Sequence, residues 1–215
     1  MAQSDTRKPA AGDGLQQLQR RRKQALRGLA AVCVGLLLVV EPSWRAIAQG
    51  LLVLLQFLGL SLILLCVFGR TWCTLYIGGH KKRELITAGP YSLVRNPLYV
   101  FTFIGTAGLG LLAGSFVLAF AFLALAVAVF TPVVRAEEAF LADAFGDAFL
   151  SYAASVPRFW PRFSSWKDAE ELRVRPTLVV RTFADASLFL LAVPLVGLKE
   201  LAHASGWLPT LLRLM

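Results

Sequence analysis

Residues 46–69 read AIAQGLLVLLQFLGLSLILLCVFG, a run of 24 residues without a charged side chain. A helix of about 20 apolar residues crosses a hydrocarbon core of about 30 Å, so this run is long enough to span a membrane. A second apolar run covers 116–131. The two runs predict an integral membrane protein rather than a soluble domain.

The whole chain shares this composition. Of its 215 residues 57% are hydrophobic and only 16% are charged, and the mean hydropathy is +0.63. Soluble domains hold about 25% charged residues. We therefore predict an all-α membrane bundle of about five transmembrane helices, over about 24–41, 46–69, 98–113, 115–134 and 177–198. The predicted organisation is a disordered basic tail (1–23), a membrane core (24–162), and a connector with a carboxyl-terminal membrane helix (163–215).

The basic residues are concentrated in the segments between the apolar runs. The net charge is +9, and 18 of the 22 Lys and Arg residues lie in 1–27, 70–97 and 135–176, between the apolar runs. Loops rich in Lys and Arg stay on the cytoplasmic side of a membrane. This distribution favours a multi-pass protein with a cytoplasmic amino terminus over a nucleic-acid-binding protein. The Ala-, Leu- and Arg-rich composition is typical of a bacterial inner-membrane protein.

The amino-terminal region imitates a signal peptide, because basic residues at 20–27 precede an apolar run at 28–40 and an Ala-Ile-Ala sequence at 46–48. Glu41, Pro42 and Arg45 are poorly suited to the region before a cleavage site. We therefore expect a retained first membrane helix.

Residues 83–99 read RELITAGPYSLVRNPLY and form a polar loop with two turn-forming pairs, Gly-Pro and Asn-Pro. Pro97 suits the first turn of the helix that follows, and Asn96 suits the cap before it. A purely structural interpretation is a capped helix with interfacial tyrosines and a snorkelling Arg95. That interpretation leaves the polarity of the loop unexplained.

A pair of carboxylates follows the fourth apolar helix, in the sequence Arg135-Ala136-Glu137-Glu138. Carboxylates where a membrane helix leaves the bilayer are candidates for function; the alternative is a solvated surface pair. Apolar residues then recur at helical spacing, which predicts one amphipathic helix over 135–160. Its apolar face comprises Leu141, Phe145, Phe149, Tyr152, Val156 and Phe159.

Together these two blocks resemble the isoprenylcysteine carboxyl methyltransferase and phospholipid methyltransferase superfamily. The resemblance rests on Gly89-Pro90-Tyr91 with Arg95-Asn96-Pro97-Leu98-Tyr99, and on Arg135-Ala136-Glu137-Glu138 with the residues up to Val156-Pro157. It covers roughly 70–162, with motifs at 83–99 and 135–157. It implies a membrane enzyme that uses S-adenosylmethionine at the cytoplasmic face and methylates a lipophilic acceptor, either a prenylcysteine-like carboxylate or a phospholipid amine.

The resemblance also implies the site residues. It assigns cofactor binding to Glu84, Leu85, Ile86, Tyr91, Asn96, Pro97, Leu98, Tyr99, Glu137 and Glu138, and contact with the methyl acceptor to Arg135. On chemical grounds we add Arg95 to the cofactor-binding residues and expect Glu138 to serve as a base where the acceptor arrives protonated. The carboxyl methyltransferases usually carry His where this chain has Asn96, which favours the phospholipid branch.

The chemistry of the cofactor agrees with these residue types. A guanidinium such as Arg95 can pair with a carboxylate, and Glu137 or Glu138 can accept from an ammonium or a ribose diol. Tyr91 or Tyr99 can face a sulfonium. Alignment and exclusion of water are expected to supply most of the catalysis of methyl transfer.

Two alternative functions stay open, an NADPH-dependent membrane reductase of similar fold and a non-catalytic membrane scaffold. Gly105, Gly108 and Gly110 imitate a dinucleotide fingerprint, but they lie in an apolar helix without a preceding strand, so we expect them to serve close helix packing. The three cysteines have no metal-type spacing, so no metal site is predicted. His80 and His203 are the only histidines, which leaves a hydrolase weakly supported.

Overall fold

The computed structural model describes residues 11–42, 49–77, 84–205 and 212–214. Residues 1–10 of the predicted tail, Arg83, His80 and most of the segment after 205 lie outside the described residues. The helices are α1 Ala11–Val39, α2 Gln49–Ile77, α3 Pro90–Leu93, α4 Pro97–Leu112, α5 Phe116–Phe145, α6 Asp147–Ser155, α7 Pro176–Ser187 and α8 Ala192–Ala204. Short 3-10 turns occupy Phe163–Ser165 and Leu188–Leu191, and two three-residue strands, β1 Val40–Pro42 and β2 Leu212–Leu214, pair in parallel.

The predicted helical membrane bundle is confirmed. Three helical stretches are long and apolar enough to cross a membrane, namely Gln49–Ile77, Phe116–Phe145 and Pro176–Ala202. Two shorter apolar helices, Gln24–Leu38 and Pro97–Leu112, complete the five predicted segments. Large apolar side chains such as Phe57 and Phe120 are 69% and 74% exposed on the outside of the bundle. They form a surface suited to lipid rather than water.

Helices α2 and α4 pack most extensively, and glycines allow their close approach. A Cβ atom added to Gly108 would lie 2.8 Å from the carbonyl oxygen of Gly59, and one added to Gly105 would lie 2.7 Å from Cys66 Sγ. These distances leave no room for a side chain at either position. The packing role predicted for Gly105 and Gly108 is thus confirmed.

The buried core residues of helix α5 form one stripe along the helix. Leu118, Phe122, Ala126, Phe130 and Val134 follow each other at intervals of four residues, and all are buried. Side chains four residues apart lie on one face of a helix, so the stripe packs against the neighbouring helices along the whole membrane depth. The next position in the same series is Glu138, which is also buried.

Several predicted boundaries were wrong. Residues 11–23 of the predicted disordered tail belong to α1, because their Gln, Leu, Lys and Arg residues are good helix formers. Helix α2 continues past residue 69 to Ile77, and Arg70 is buried there beside the Thr102 hydroxyl. The parallel pair β1–β2 was not expected from a sequence without β alternation.

The predicted amphipathic helix 135–160 is divided in two. Helix α5 runs to Phe145, Gly146 adopts a φ of 53°, and α6 starts at Asp147 and ends at Ser155. A positive φ is readily adopted by glycine and interrupts the helix there. The last predicted membrane helix is also uneven, since a 3-10 turn precedes α8, in which Pro194 lacks the amide hydrogen that an α-helix requires.

Candidate active site

The carboxylate of Glu138 joins the two motif blocks. Its Oε1 accepts a hydrogen bond of 2.8 Å from Asn96 Nδ2 and lies 3.2 Å from Arg95 Nε. Its Oε2 accepts hydrogen bonds of 3.0 and 2.7 Å from Nε and Nη2 of Arg158. We call Arg95, Asn96, Glu138 and Arg158 the carboxylate cluster. One buried carboxylate thus carries two guanidinium partners and an amide.

Helix geometry explains why Glu138, and not its neighbour, is at the centre. Glu138 continues the buried stripe of α5 by one more step of four residues, whereas Glu137 is rotated about 100° from Glu138 around the helix. Burial of a carboxylate is tolerated only when it is paired and hydrogen-bonded. The carboxylate cluster provides those partners.

Arg95 is held on two sides. Its Nη1 donates to the carbonyl of Ala153 in α6 at 2.6 Å, and its backbone N–H donates to the carbonyl of Pro157 at 2.9 Å. Two of its side-chain nitrogens therefore contact protein groups. Its predicted pairing with a cofactor carboxylate stays a prediction, and only the remaining Nη2 is open to it.

Asn96 occupies the predicted cap position of α4, with Pro97 at the first turn. Its side chain makes no capping hydrogen bond and donates to Glu138 instead. A side chain at this position normally caps the helix terminus, but the amide of Asn96 instead binds the carboxylate of Glu138.

Arg158 was missed by the sequence analysis. It follows directly after Val156-Pro157, the end of the second motif block, and its side chain is 37% exposed. A guanidinium placed two residues after Val156, the residue that follows α6, was a signal that the sequence offered. It brings a second arginine to the site, more open to solvent than Arg95.

Glu137 and Arg135 lie outside the carboxylate cluster. Glu137 is half-buried and Arg135 is exposed. Among the described residues, no group forms a hydrogen bond or ion pair with either side chain. The structure therefore leaves the carboxylate of Glu137 available at the edge of the site. Arg135 lies three residues before Glu138 on α5 and takes no part in the hydrogen bonds and ion pairs of the carboxylate cluster.

The remaining predicted site residues form the apolar surroundings. Tyr91 is buried in a cluster that includes Tyr76, with Ile86 and Leu98 packed against it. Leu85 packs on the cluster of Phe149, Tyr152 and Val156.

Tyr99 lies deeper, with its ring centroid 5.3 Å from that of Phe130. Pro97 is buried at the start of α4, and Glu84 is exposed.

Tyr152 connects α6 to the loop of the first block. Its hydroxyl donates a hydrogen bond of 2.8 Å to the carbonyl of Tyr91. Burial raises the pKa of the Tyr152 phenol above its ordinary value, an effect that nearby Arg95 opposes and nearby Glu138 reinforces. The phenol therefore stays a hydrogen-bond donor at neutral pH.

Residues 162–168, which we call the strap, cross over the same loop. The N–H of Arg162 donates to the Leu93 carbonyl at 3.0 Å, and the N–H of Gly89 donates to the Lys167 carbonyl at 2.7 Å. Ser92 accepts from the Lys167 N–H at 3.0 Å. Backbone hydrogen bonds in both directions thus fix the loop against the strap.

Two side chains of the strap reinforce this attachment. The Trp166 ring stacks on Trp72 of α2 with centroids 5.8 Å apart, and Asp168 accepts a hydrogen bond of 2.8 Å from the Tyr76 hydroxyl. The strap lies in the connector that the sequence analysis left without a role.

A pocket of about 310 Å³ opens between the loop, α6 and the strap. It is lined by Thr87, Ser92, Ser151, Tyr152, Ser155, Val156, Ser165 and Lys167. None of the predicted site residues lines it.

The phospholipid methyltransferase family matches residues 44–148, from the segment before α2 to the start of α6. This match, which spans just under half of the chain, places residues 44–148 in the methyltransferase superfamily. This family match includes Arg95, Asn96, Glu137 and Glu138, whereas Arg158 and the strap lie beyond it. The predicted superfamily is thereby confirmed.

Three relatives extend this comparison. The chain is 38% identical over 196 residues to the nickel-cobalt-cadmium resistance protein NccN of Alcaligenes xylosoxydans xylosoxydans, covering 90% of this chain and 89% of the relative. It is 38% identical over 191 residues to the cobalt-zinc-cadmium resistance protein CzcN of Cupriavidus metallidurans, covering 88% and 86%. It is 37% identical over 78 residues to the protein-S-isoprenylcysteine O-methyltransferase of Schizosaccharomyces pombe, covering 36% and 33%.

No solved structure matches the chain significantly. The relation to the Schizosaccharomyces pombe enzyme supports the methyltransferase superfamily. NccN and CzcN match nearly the whole length of this chain, so the chain belongs to the same family as these two proteins.

Proposed function

We propose that this protein is an integral-membrane methyltransferase that transfers the methyl group of S-adenosylmethionine to a lipophilic acceptor at the cytoplasmic face of the bacterial inner membrane. One observation carries the proposal. The Glu138 carboxylate binds Asn96 and two arginines, which brings together motif blocks 42 residues apart. Membership of a methyltransferase family supports the reaction type.

The side chains at this junction suit the proposed cofactor. The cofactor carries a carboxylate, an ammonium and a ribose diol, so it needs both donors and acceptors. Glu137 supplies an acceptor without a described partner. Arg158 binds Glu138 through Nε and Nη2, and because its side chain is 37% exposed its remaining nitrogen can supply a donor. Tyr91 and Leu98 supply apolar and aromatic walls. We assign the cofactor to these residues.

The protein's part in the reaction is orientation and exclusion of water. S-adenosylmethionine supplies an activated methyl group on a sulfonium centre. The carboxylate cluster fixes the loop that carries Tyr91, and the strap covers that loop. A rigid, partly desolvated site of this kind lowers the barrier to an in-line displacement by alignment.

Glu137 is our preferred base for an acceptor that arrives as an ammonium. Both oxygens of Glu138 already accept hydrogen bonds from Asn96 and Arg158. We therefore assign Glu138 to positioning rather than to proton transfer. Arg135 remains our candidate for contacting the acceptor, since its exposed guanidinium has no partner among the described residues.

Binding to the purified protein in detergent tests the proposal. We expect saturable binding of S-adenosylmethionine in calorimetry, with NADPH measured alongside. Glu137→Ala is expected to lower the affinity about tenfold or more, the size of one lost charge-assisted hydrogen bond. Glu171→Ala, an exposed carboxylate of the connector, is the matched control and should bind normally.

Each contrary result has a distinct meaning. Binding of NADPH alone would indicate the reductase. Binding of neither compound would indicate a scaffold. Normal binding by Glu137→Ala would remove the assignment of Glu137 while leaving the methyltransferase intact.

The orientation is a separate part of the proposal. We infer a cytoplasmic amino terminus from the concentration of Lys and Arg in 1–27, 70–97 and 135–176. Reporter fusions after residues 42, 114 and 168 test this orientation, because the first two positions should report periplasm and the third cytoplasm. The opposite pattern would reverse the orientation.

A physiological setting comes from the names of two relatives. NccN and CzcN are named as metal resistance proteins, and each matches this chain over most of its length. We propose that methylation by this protein contributes to tolerance of divalent metals. A deletion strain should lose tolerance to cobalt or cadmium, and the wild-type gene should restore it whereas Glu137→Ala should not. Full complementation by Glu137→Ala would separate tolerance from methylation.

A further inference from the structure

The pocket between the loop, α6 and the strap has a consistent chemical character. Hydroxyl-bearing residues make up most of its described lining. Among the described residues that line it, Lys167 is the one charged residue and none carries a carboxylate. A pocket that combines an ammonium with hydroxyl donors favours an anionic ligand.

Three donors in the pocket have no partner among the described residues. They are the Lys167 ammonium, the Ser151 hydroxyl and the Thr87 hydroxyl, and they come from the strap, from α6 and from the segment before α3. The hydroxyls of Ser155 and Ser165 instead donate to backbone carbonyls. Donors that converge from three separate segments suit a tetrahedral oxyanion, whose oxygens point in different directions.

No described carboxylate forms an ion pair with Lys167. The adjacent Asp168 accepts hydrogen bonds from the Tyr76 hydroxyl and the Ala169 N–H. The Glu138 carboxylate is bound by Arg95, Asn96 and Arg158, none of which lines the pocket. The Lys167 ammonium is exposed, so a ligand can reach it from solvent or from the membrane interface.

The surroundings of the pocket place it near the membrane surface. Trp160, two residues before the strap, and Phe163, within it, are 85% and 77% exposed. Exposed aromatic rings of a membrane protein are typical of the headgroup region, where phosphate groups also lie. The pocket volume of about 310 Å³ is at the lower end of the range for small-molecule sites.

We propose that this pocket binds a phosphate ester, separately from the methyl-transfer site. Lys167 supplies the charge, and Ser151 and Thr87 supply hydrogen bonds. The same phosphate chemistry can come from a phospholipid headgroup or from a soluble phosphate ester.

Lys167 permits a clean test, because the pocket uses its side chain while the fold uses its backbone. Its N–H and carbonyl hold Ser92 and Gly89, and these bonds are independent of the side chain. Lys167→Ala should therefore fold normally. Lys167→Arg retains the charge, and Arg173→Ala removes an equal charge from an exposed position of the connector outside the pocket.

The experiment titrates glycerol 3-phosphate and dihexanoyl phosphatidic acid into purified protein in a zwitterionic detergent, with binding followed by phosphorus NMR. We expect saturable binding by the wild type, Lys167→Arg and Arg173→Ala, and at least about tenfold weaker binding by Lys167→Ala. Tighter binding of the lipid assigns the site to a headgroup, and equal binding assigns it to a soluble ester.

Two results would overturn the proposal. One is equal binding, or none, by the wild type and Lys167→Ala. The other is displacement of glycerol 3-phosphate by S-adenosylmethionine, which would make the pocket part of the methyl-transfer site. Glu137→Ala should keep its phosphate binding whether or not it binds S-adenosylmethionine, so failure here is distinguishable from failure of the proposed function.

Discussion

Glu137 and Glu138 are adjacent in sequence, yet they lie in opposite environments. Glu138 is buried and accepts hydrogen bonds from Asn96 and Arg158, while Glu137 is half-buried without a partner among the described residues. A rotation of about 100° along α5 separates the two. The difference indicates a division of labour, in which one carboxylate holds the two motif blocks together and the other remains available to a ligand.

Removing the buried carboxylate should have the largest effect on stability. Glu138→Ala leaves Arg95 and Arg158 facing each other without their counter-charge. We expect the free energy of unfolding to fall by about 3–5 kcal/mol, the usual cost of breaking a buried ion pair. Thermal unfolding in detergent measures this loss. A loss as small as that of Glu137→Ala would contradict the division of labour.

Loss of the hydrogen bond between the Tyr152 hydroxyl and the Tyr91 carbonyl should have the next largest effect on stability. Tyr152→Phe leaves the Tyr91 carbonyl without its donor and should cost about 1–3 kcal/mol. Because burial raises the pKa of Tyr152, its neutral form is favoured in the folded state. This contribution is therefore complete below about pH 10 and is lost as the pH rises further.

Unfolding measurements of the wild type and Tyr152→Phe between pH 7 and 11 check this dependence. The difference in stability should be constant at neutral pH and shrink at the alkaline end. A difference that grows with pH would show that the phenol is not held neutral.

Loss of the stacked Trp166 ring of the strap should have a smaller effect on stability. Trp166→Ala removes the ring stacked on Trp72, an interaction worth about 0.5–1.5 kcal/mol beyond buried area. We expect weaker S-adenosylmethionine binding as well, since the strap holds the loop that carries Tyr91. Trp160→Ala, at an 85% exposed position, is the matched control. Equal cofactor affinities in the two variants would limit the strap to a structural role.

Gln56 and Glu200 form a part-buried polar pair between two helices, away from the carboxylate cluster. Gln56 of α2 donates a hydrogen bond of 3.0 Å to Glu200 of α8. Hydrogen bonds between membrane helices contribute about 0.6 kcal/mol on average, so Gln56→Leu should reduce stability only slightly. Gln49→Leu serves as the control, because Gln49 is exposed. A loss near that of Glu138→Ala would show that buried polar pairs are equivalent throughout this fold.

Glu137→Ala should have the smallest effect on folding. A side chain without a partner in the described structure contributes within about 0.5 kcal/mol. An unchanged melting temperature together with weakened cofactor binding would confirm that the available carboxylate serves a ligand. A large loss of stability would instead place Glu137 in the structural network.

The sequence predicted the bundle well because hydrophobic length decides membrane helices. All five apolar segments are helical, and the close packing at Gly105 and Gly108 followed from their position in an apolar helix. Boundaries were less predictable. The interruption at Gly146 depends on a backbone φ of 53°, which the apolar periodicity on either side concealed.

The sequence singled out Arg95, Asn96 and Glu138, but it did not show that they would contact one another. The neighbours Arg95 and Asn96 meet Glu138, which lies 42 residues after Asn96 in sequence. A signal for the buried carboxylate does exist in the sequence, because extending the α5 stripe by four residues from Val134 reaches Glu138 and not Glu137. Arg158 and the strap depend on how the chain folds back after α6, a tertiary feature without periodic signal.

The buried stripe of α5 has a mechanical consequence. The helix is 30 residues and about 45 Å long, and Glu138 lies one turn beyond Val134, the last apolar residue of the stripe. Pro132, inside the helix, lacks the amide hydrogen of a regular helical turn, which makes this stretch the place where the helix bends most easily. A substitution that repacks Phe130 or Val134 is therefore expected to move the Glu138 carboxylate against Arg95 and Asn96, although neither apolar residue belongs to the carboxylate cluster.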